Sequence, residues 1–316
     1  MTKTMRSTLP ALLALTLPLL SCASGGPQVV PSPLALRLER FLHPPGGSIA
    51  VAYLNLGSGA TYARNENQLF HAASTMKVPV MMALFQAIDE KELRLDQPLP
   101  VRNQFQSLAD ASSFSLDPKE DGDPELYAAV GSTRPLEELI RRMIVRSSNL
   151  ATNLLIEKIG ASRAQDLMRS LGAYRIRILR GVEDDKAYRA GMNNLTTAAD
   201  LAVALAALTN GTTFKPASSA KMIEILKAQE FNEKIPAGLP EGTPVAHKTG
   251  DITGIHHDAA IVYPPGEPPY VLVVLTQGYE DEKAADRIIA DISRVVWERR
   301  ADPPSRSPAE PAREGG

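Results

Sequence analysis

Between Leu34 and Arg300 the apolar positions follow two periods in turn. Leu34 to Phe41 carries them at short helical spacing and predicts a small amphipathic helix. Ser48 to Leu56 (SIAVAYLNL) reads as a strand, and Gly57-Ser58-Gly59 turns the chain into a second one around Ala60 to Arg64. After Ser74 the period becomes helical, with Val78, Val80, Met81, Met82, Leu84, Phe85 and Ile88 apolar nearly all round, which predicts a buried helix. Val101 to Tyr127 is a long polar, turn-rich excursion. Pro135 to Ile144, Asn149 to Ile159 and Ser218 to Lys227 read as helices. So does alanine-rich Thr196 to Leu208, with Thr196 or Thr197 as N-cap and Asp200 in its first turn. Strands return at Thr243 to Thr249, Ala259 to Val262 and Tyr270 to Leu275, the last two joined by a turn at Tyr263 to Pro269. Ala284 to Arg300 is a long amphipathic closing helix.

This order predicts an α+β fold. Early and late strands share one antiparallel sheet flanked by the terminal helices, and the middle block forms an all-helical subdomain. The α/β lobe would span about 34–70 and 212–300, and the helical lobe about 71–211. The seam between two such lobes is a common place for a site.

The chain ends read differently. Lys3 and Arg6 precede an apolar run from Leu9 to Leu20, the form of a signal segment and too short for a permanent membrane span. The run closes on Leu19-Leu20-Ser21-Cys22, which resembles a bacterial lipobox and implies a signal peptide over 1–21 with lipid on Cys22. Residues 22–33 would be a flexible linker. The resulting expectation is an exported lipoprotein, periplasmic or at the cell surface. Ala23 after the Cys does not look like an inner-membrane retention signal, which favours the outer membrane in a Gram-negative cell. Ala301 to Gly316 holds four prolines and no periodic apolar positions, and reads as a disordered tail.

Composition narrows the function classes. Lys and Arg total 34 against 36 Asp and Glu, so the net charge of −2 offers no polyanion-binding surface, and nucleic acid is not an expected partner. A single Cys rules out a disulfide framework and a thiolate metal cluster. The five His are scattered except for His256-His257. That pair and Asp258 are expected in a strand-connecting turn without a third ligand, so neither metal nor cofactor is expected. His247 should point to the sheet face opposite Lys248 and be structural. Glu280-Asp281-Glu282-Lys283 reads as a solvated helix start, and Trp297 as packing against the sheet. Nothing suggests more than a monomer.

Three small motifs carry candidate chemistry. In Ser74-Thr75-Met76-Lys77 the Ser and Lys lie one helical turn apart on the same face. A Ser hydroxyl is a weak nucleophile until its proton is taken, and an amine of lowered pKa can take it. At a helix start the Ser74 N–H is also free for an oxyanion. Ser147-Ser148-Asn149 enters a helix, where it could equally be a plain cap. His247-Lys248-Thr249-Gly250 ends a strand. Gly250 permits close approach of a ligand to the backbone there, and Lys248 and Thr249 supply donors to a carboxylate. Each motif alone is weak.

Together and in this order, they resemble the signatures of the serine β-lactamases and penicillin-binding proteins: Ser-x-x-Lys, Ser-Asp-Asn and Lys-Thr-Gly. The resemblance runs over 34–300 and is nearest to the class A branch, through Asn153-Leu154-Leu155 and through Glu183, 36 residues after Ser147. It implies that Ser74 is acylated by a β-lactam or a D-alanyl peptide and that Lys77 shares its proton. It implies that Ser147 passes a proton to the leaving nitrogen near Lys248, and that Asn149 binds the substrate's side-chain amide. Thr249 and Gly250 would line the carboxylate and acylamide side, and the N–H groups of Ser74 and Asp251 would form the oxyanion hole. Glu183 would activate the hydrolytic water.

The chain departs from the pattern in four places. Ser148 replaces the middle Asp of Ser-Asp-Asn, which in the family holds the loop. Ala187 stands where a β-lactamase usually has an Asn that helps hold the water. Asp251 places a carboxylate beside a pocket for an anionic substrate. Extra residues in Phe105 to Tyr127 either form part of the cleft wall, with Phe114 and Tyr127 at its rim, or make a surface loop without contact. Three readings follow: a β-lactamase, a penicillin-binding or D-alanyl-peptide hydrolase (or other acyl-serine hydrolase) with slow deacylation, and a non-turnover cell-wall binding lipoprotein.

Overall fold

The computed structural model describes residues 33–41 and 47–300; the expected signal segment, Cys22, all but the last residue of the expected linker at 22–33, and the expected tail from 301 lie outside them. Five strands form one antiparallel sheet: β1 (Ser48–Asn55), β2 (Thr61–Arg64), β3 (Val245–Ile252), β4 (Ile255–Val262) and β5 (Tyr270–Gln277), in the order β2-β1-β5-β4-β3. The strands of early and late sequence thus pair as the pattern predicts. The helices are α1 (Pro33–Leu38), α2 (Lys77–Asp89), α3 (Leu136–Val145), α4 (Asn149–Ile159), α5 (Ala161–Ser170), α6 (Asp185–Arg189), α7 (Ala198–Ala207), α8 (Pro216–Lys227) and α9 (Glu282–Arg299). Among the described residues none is long and apolar enough to cross a membrane.

Alternation along the central strands feeds two cores. Ile49, Val51 and Tyr53 of β1, with Leu272 and Val274 of β5, pack with Leu34, Leu38, Ile289, Ile292 and Val296 of the terminal helices. Ala50, Ala52, Val271, Val273 and Leu275 face the other way, into the larger core of the helical block. Strands buried on both faces read as nearly continuous apolar runs rather than clean alternation. Helix α2 is the axle of the helical block, with Val78, Val80, Met81, Met82, Leu84 and Phe85 all buried.

Side-chain caps set several helix starts. Thr197 accepts from the Asp200 amide at 3.1 Å, and Asp281 from the Ala284 amide at 3.1 Å, which places the acidic cluster at the start of α9. Pro at the first turn opens α8 two residues earlier than the sequence pattern suggests. His256, His257 and Asp258 lie inside β4 rather than in a connecting turn, because β4 begins at Ile255 directly after a tight turn at Gly254. His247 does point away from Lys248: its Nδ1 meets Asp258 Oδ1 at 3.0 Å on the α9 side, where Asp258 also accepts from the Ile235 amide. Trp297 packs with the core beneath α9, and the Arg300 guanidinium lies 4.0 Å from its ring centre.

Candidate active site

The three motifs converge. Ser74 sits in a single 3₁₀ turn, Ala73–Met76, that leads straight into α2, so Lys77 follows it one turn on. Strand β3 runs against this turn at Gly250. A Cβ on Gly250 would stand 3.0 Å from the Thr75 amide nitrogen and 3.1 Å from that of Ser74. Only glycine allows the strand so near the nucleophile's backbone.

The Lys77 ammonium is fully buried and spends its donors on Ser147 O (2.7 Å), Ser147 Oγ (3.1 Å) and Asn149 Oδ1 (2.8 Å). The first two motifs, some seventy residues apart, are therefore bonded to each other. Lys248 is also fully buried, and its Nζ donates to Thr249 O at 2.9 Å. Burial, then the charge of Lys248, holds Lys77 well below the usual ammonium range, against the pull of Asp121 and Glu183. Burial pushes Lys248 down to about 7, opposed by Asp251 and Asp258. An amine so placed can accept a proton near neutrality.

Glu183 meets this group from the other side. Asn149 Nδ2 donates to Glu183 Oε1 at 2.6 Å, so one amide bridges Lys77 and Glu183. Burial raises the Glu183 carboxyl above its ordinary range; the Asn149 bond opposes the shift, the charge on Asp121 adds to it, and Lys77 opposes it. The loop carrying Glu183 is clamped by Asn153, whose Oδ1 accepts from the Val182 amide (2.7 Å) and whose Nδ2 donates to Val182 O (3.0 Å). A Cβ on Gly181 would collide with Asn153 Oδ1, which its bond to the Val182 amide holds in place, so this clamp closes over glycine.

Backbone strain gathers at the same point. Ala73 (φ 45°), Ser147 (φ 56°) and Glu183 (φ 58°) all occupy the left-handed region without being glycine. Such residues cost on the order of 1 kcal/mol or more each and persist where surroundings hold them for a function.

Ser74, Asn149 and Asp251 lie on the walls of two adjoining cavities. One, of about 360 Å³, is lined also by Glu183, His71 and Tyr188. The other, of about 400 Å³, is lined also by Ser147, Thr249 and Lys234. Among the described residues, those singled out as catalytic or substrate-binding thus come together. Cys22 lies outside them.

Residues 33–299 match the β-lactamase enzyme family. The chain belongs to that family. Among curated relatives, a carbapenem-hydrolyzing β-lactamase KPC of Klebsiella oxytoca is 28% identical over 259 residues, covering 80% of this chain and 84% of its own. A β-lactamase of Streptomyces albus G is 28% identical over 267 residues, covering 83% of each. Among solved structures, a β-lactamase from Sphaerobacter thermophilus superposes with a TM-score of 0.73 at 28% identity, covering 86% of this chain and 98% of the other. PBP-A superposes with a TM-score of 0.72 at 26% identity, covering 84% and 94%.

Within this β-lactamase fold the departures have structural answers. The Asp251 carboxylate is held by Lys234 Nζ (3.0 Å) and His256 Nδ1 (3.0 Å), and Lys234 also pairs with Asp286 (3.1 Å). The repulsion expected of a bare carboxylate is thereby largely neutralised, and Asp251 stays below the usual carboxylate range through His256 and Lys234, against its burial. Glu282 supplies the third potential ligand that sequence reasoning did not see near His256. Asp251 already pairs with the Lys234 ammonium, and both His256 nitrogens are engaged, Nδ1 with Asp251 and Nε2 with Tyr279 O (3.1 Å). Ser148 is the buried N-cap of α4, accepting from the Ala151 amide at 3.2 Å. Ala187 is fully buried in α6, behind the loop that carries Glu183.

The excursion between 105 and 127 is no contact-free loop. Ser107 Oγ donates to Asp184 Oδ1, and the Leu108 amide to Asp184 Oδ2, both at 2.7 Å, next to Glu183. Phe114 and Tyr127 do not stand at the rim of the Ser74 cavities. Phe114 packs on Phe105 with ring centres 5.9 Å apart, and the Tyr127 hydroxyl turns inward to Asp121 Oδ2 at 2.9 Å.

Three residues escaped sequence reasoning: Asp121, Lys234 and His71. The Ala73 amide donates to His71 Nδ1 at 3.1 Å, and burial pushes the ring down to about 4, so the neutral imidazole carries its proton on Nε2. None belongs to a local motif. Burial reveals Asp121 and Lys234, and the bond from the Ala73 amide reveals half-buried His71.

Proposed function

We propose that the protein is a serine β-lactamase that hydrolyses the amide bond of β-lactams through an acyl-enzyme on Ser74. In the first half, neutral Lys77 takes the Ser74 proton while Oγ attacks the lactam carbonyl. The Oγ–C bond forms and the C–N bond breaks. The leaving nitrogen takes a proton from Ser147, which is replenished from Lys77 across their 3.1 Å contact. The N–H groups of Ser74 and Asp251 receive the oxyanion. Lys248 and Thr249 receive the substrate carboxylate, with Lys234 at the floor of that cavity. In the second half, ionised Glu183 takes a proton from water, the water oxygen attacks the acyl carbon, and the Oγ–C bond breaks as Ser74 takes up the proton that Glu183 gives back, which restores the ionised carboxylate.

The observation that carries this reading is Glu183 bonded to Asn149 on the wall of the cavity that holds Ser74. A stable penicilloyl adduct without turnover is the alternative outcome, favoured by Ala187 in place of an amide and by the likeness to PBP-A. Purified protein incubated with nitrocefin separates the two: multiple turnovers abolished by Ser74→Ala support hydrolysis, and one equivalent of bound product contradicts it.

The segment ending at Cys22 supports export and lipid attachment of the enzyme to a bacterial membrane. Radiolabelled palmitate incorporated into the wild type but not into Cys22→Ser is the expected result. Label in both would overturn it.

A further inference from the structure

Asp121 has no place in the mechanism above, yet it is buried behind the point where Lys77, Asn149 and Glu183 meet. Its exposure is 7%. Its Oδ1 accepts from the amides of Asp123 and Asn149, both at 2.9 Å. Its Oδ2 accepts from the Leu150 amide at 2.8 Å and the Tyr127 hydroxyl at 2.9 Å. A carboxylate at the first amides of α4 satisfies donors that a helix start leaves open and complements its dipole. What those amides fix is the backbone of Asn149, whose side chain joins Lys77 Nζ to Glu183 Oε1.

The segment that delivers Asp121 is itself anchored. Asp123 is fully buried and pairs with Arg142 of α3 at 2.7 Å. A few residues earlier, the Asp117 backbone steadies the ionised form of Glu183 by a hydrogen bond. Ser148, where the family motif carries an acid, caps α4 with a neutral hydroxyl and leaves the Asn149 amide to another acceptor. The motif thus carries no acid, and the carboxylate at this helix start is that of Asp121.

We propose that Asp121 is a positioning residue for acyl-enzyme hydrolysis, a carboxylate supplied by the extended loop that holds Asn149 between Lys77 and Glu183 in the place vacated at Ser148. The proposal rests on the hydrolase reading of Ser74 and Glu183. It assigns a function to the long loop: the segment 117–127 is part of the catalytic support. Its charge also acts on both ends of the bridge, raising Glu183 and opposing the depression of Lys77. The groups facing Glu183 are Lys77 from α2, Asn149 from α4, and Asp121 and the Asp117 backbone from the loop. Those facing Lys77 are Lys248, Asp121 and Glu183.

The test is a double-mutant cycle on the full chain with Asp121→Asn, Ser148→Asp and both together. Asp121→Asn keeps the shape, removes the charge and replaces one of the two acceptor oxygens by a donor. It is expected to lower kcat on nitrocefin at least about 10-fold with KM little changed, and to move the acid limb of kcat to lower pH. Ser148→Asp alone is expected to lower kcat, because a second buried carboxylate joins Asp121 at one helix start. In the Asp121→Asn background, the same substitution is expected to raise kcat. This reversal of sign is what a purely structural role for Asp121 would not produce. Wild-type kcat and pH limb in Asp121→Asn, or a Ser148→Asp effect of one sign in both backgrounds, would overturn the proposal. If Asp121→Asn fails to fold, a gain in activity from Ser148→Asp alone overturns it equally. A wild type without turnover would instead remove the hydrolase reading. Asp121 is then judged by NMR titration of the ¹³C-labelled Glu183 carboxyl, whose pKa should fall in Asp121→Asn and must not stay unchanged.

Discussion

Asn149 donates to Glu183 at 2.6 Å with the same amide that accepts from Lys77 at 2.8 Å. One neutral side chain therefore sets the distance between the base proposed for each half-reaction. It also keeps a buried ammonium and a half-buried carboxylate from closing on each other directly. A direct pair would hold Lys77 protonated and Glu183 ionised, which suits the second half-reaction and stalls the first.

Asn149→Ala removes both bonds at once. Hydrogen bonds to charged groups are worth roughly 1.5–3 kcal/mol each, so kcat/KM is expected to fall about 100-fold or more. Steady-state kinetics on nitrocefin checks this, with circular dichroism to establish that the fold is kept. A change of less than about threefold would mean that the bridge does not matter.

Gly250→Ala tests the contact between strand β3 and the nucleophile turn. The new methyl would stand 3.0–3.1 Å from the Thr75 and Ser74 amides, with backbone on both sides. Since neither can give way cheaply, overpacking should cost about 1–3 kcal/mol of stability and displace the two oxyanion-hole donors. Thermal melting and kcat should drop together.

How much of this was legible beforehand depends on the distance over which each interaction acts. Ser74 and Lys77 are one turn apart, and Lys248 and Gly250 share a strand end, so local spacing reveals them. Asn153 was visible only through its resemblance to the family pattern, and its clamp on Val182 needed the fold. Asp121 could not be read at all: it sits 28 residues from Asn149 in a polar stretch where Asp117, Asp121 and Asp123 look alike. Only the packing of that stretch onto α3 and α4 distinguishes them. His256 and His257 read as a turn for a related reason. Polar residues in a strand buried on both faces look like a turn until their partners, Asp251 for one and the His71 carbonyl for the other, are known.

Burying Lys248 should be visible in stability. Its amine is held at about 7 in the fold and returns to an ordinary value of 10.5 on unfolding. Between those values the unfolded chain binds a proton that the folded one does not, so this residue's contribution to stability rises with pH through the window. Below about pH 7 the fold carries a buried ammonium at a penalty on the order of a few kcal/mol. Lys248→Met is therefore expected to melt higher than the wild type at pH 6, with the gap closing as the pH approaches 10. A gap independent of pH would show that Lys248 is not destabilised by burial.

The most direct test of the whole account is intact-protein mass spectrometry of Glu183→Gln mixed with benzylpenicillin. Acylation should still reach Ser74 and its release should stall, so a penicilloyl adduct that peptide mapping assigns to Ser74 should accumulate for minutes, while the wild type under the same conditions returns to its free mass. An adduct on another residue, or a Glu183→Gln variant that clears its adduct as fast as the wild type, would contradict the account.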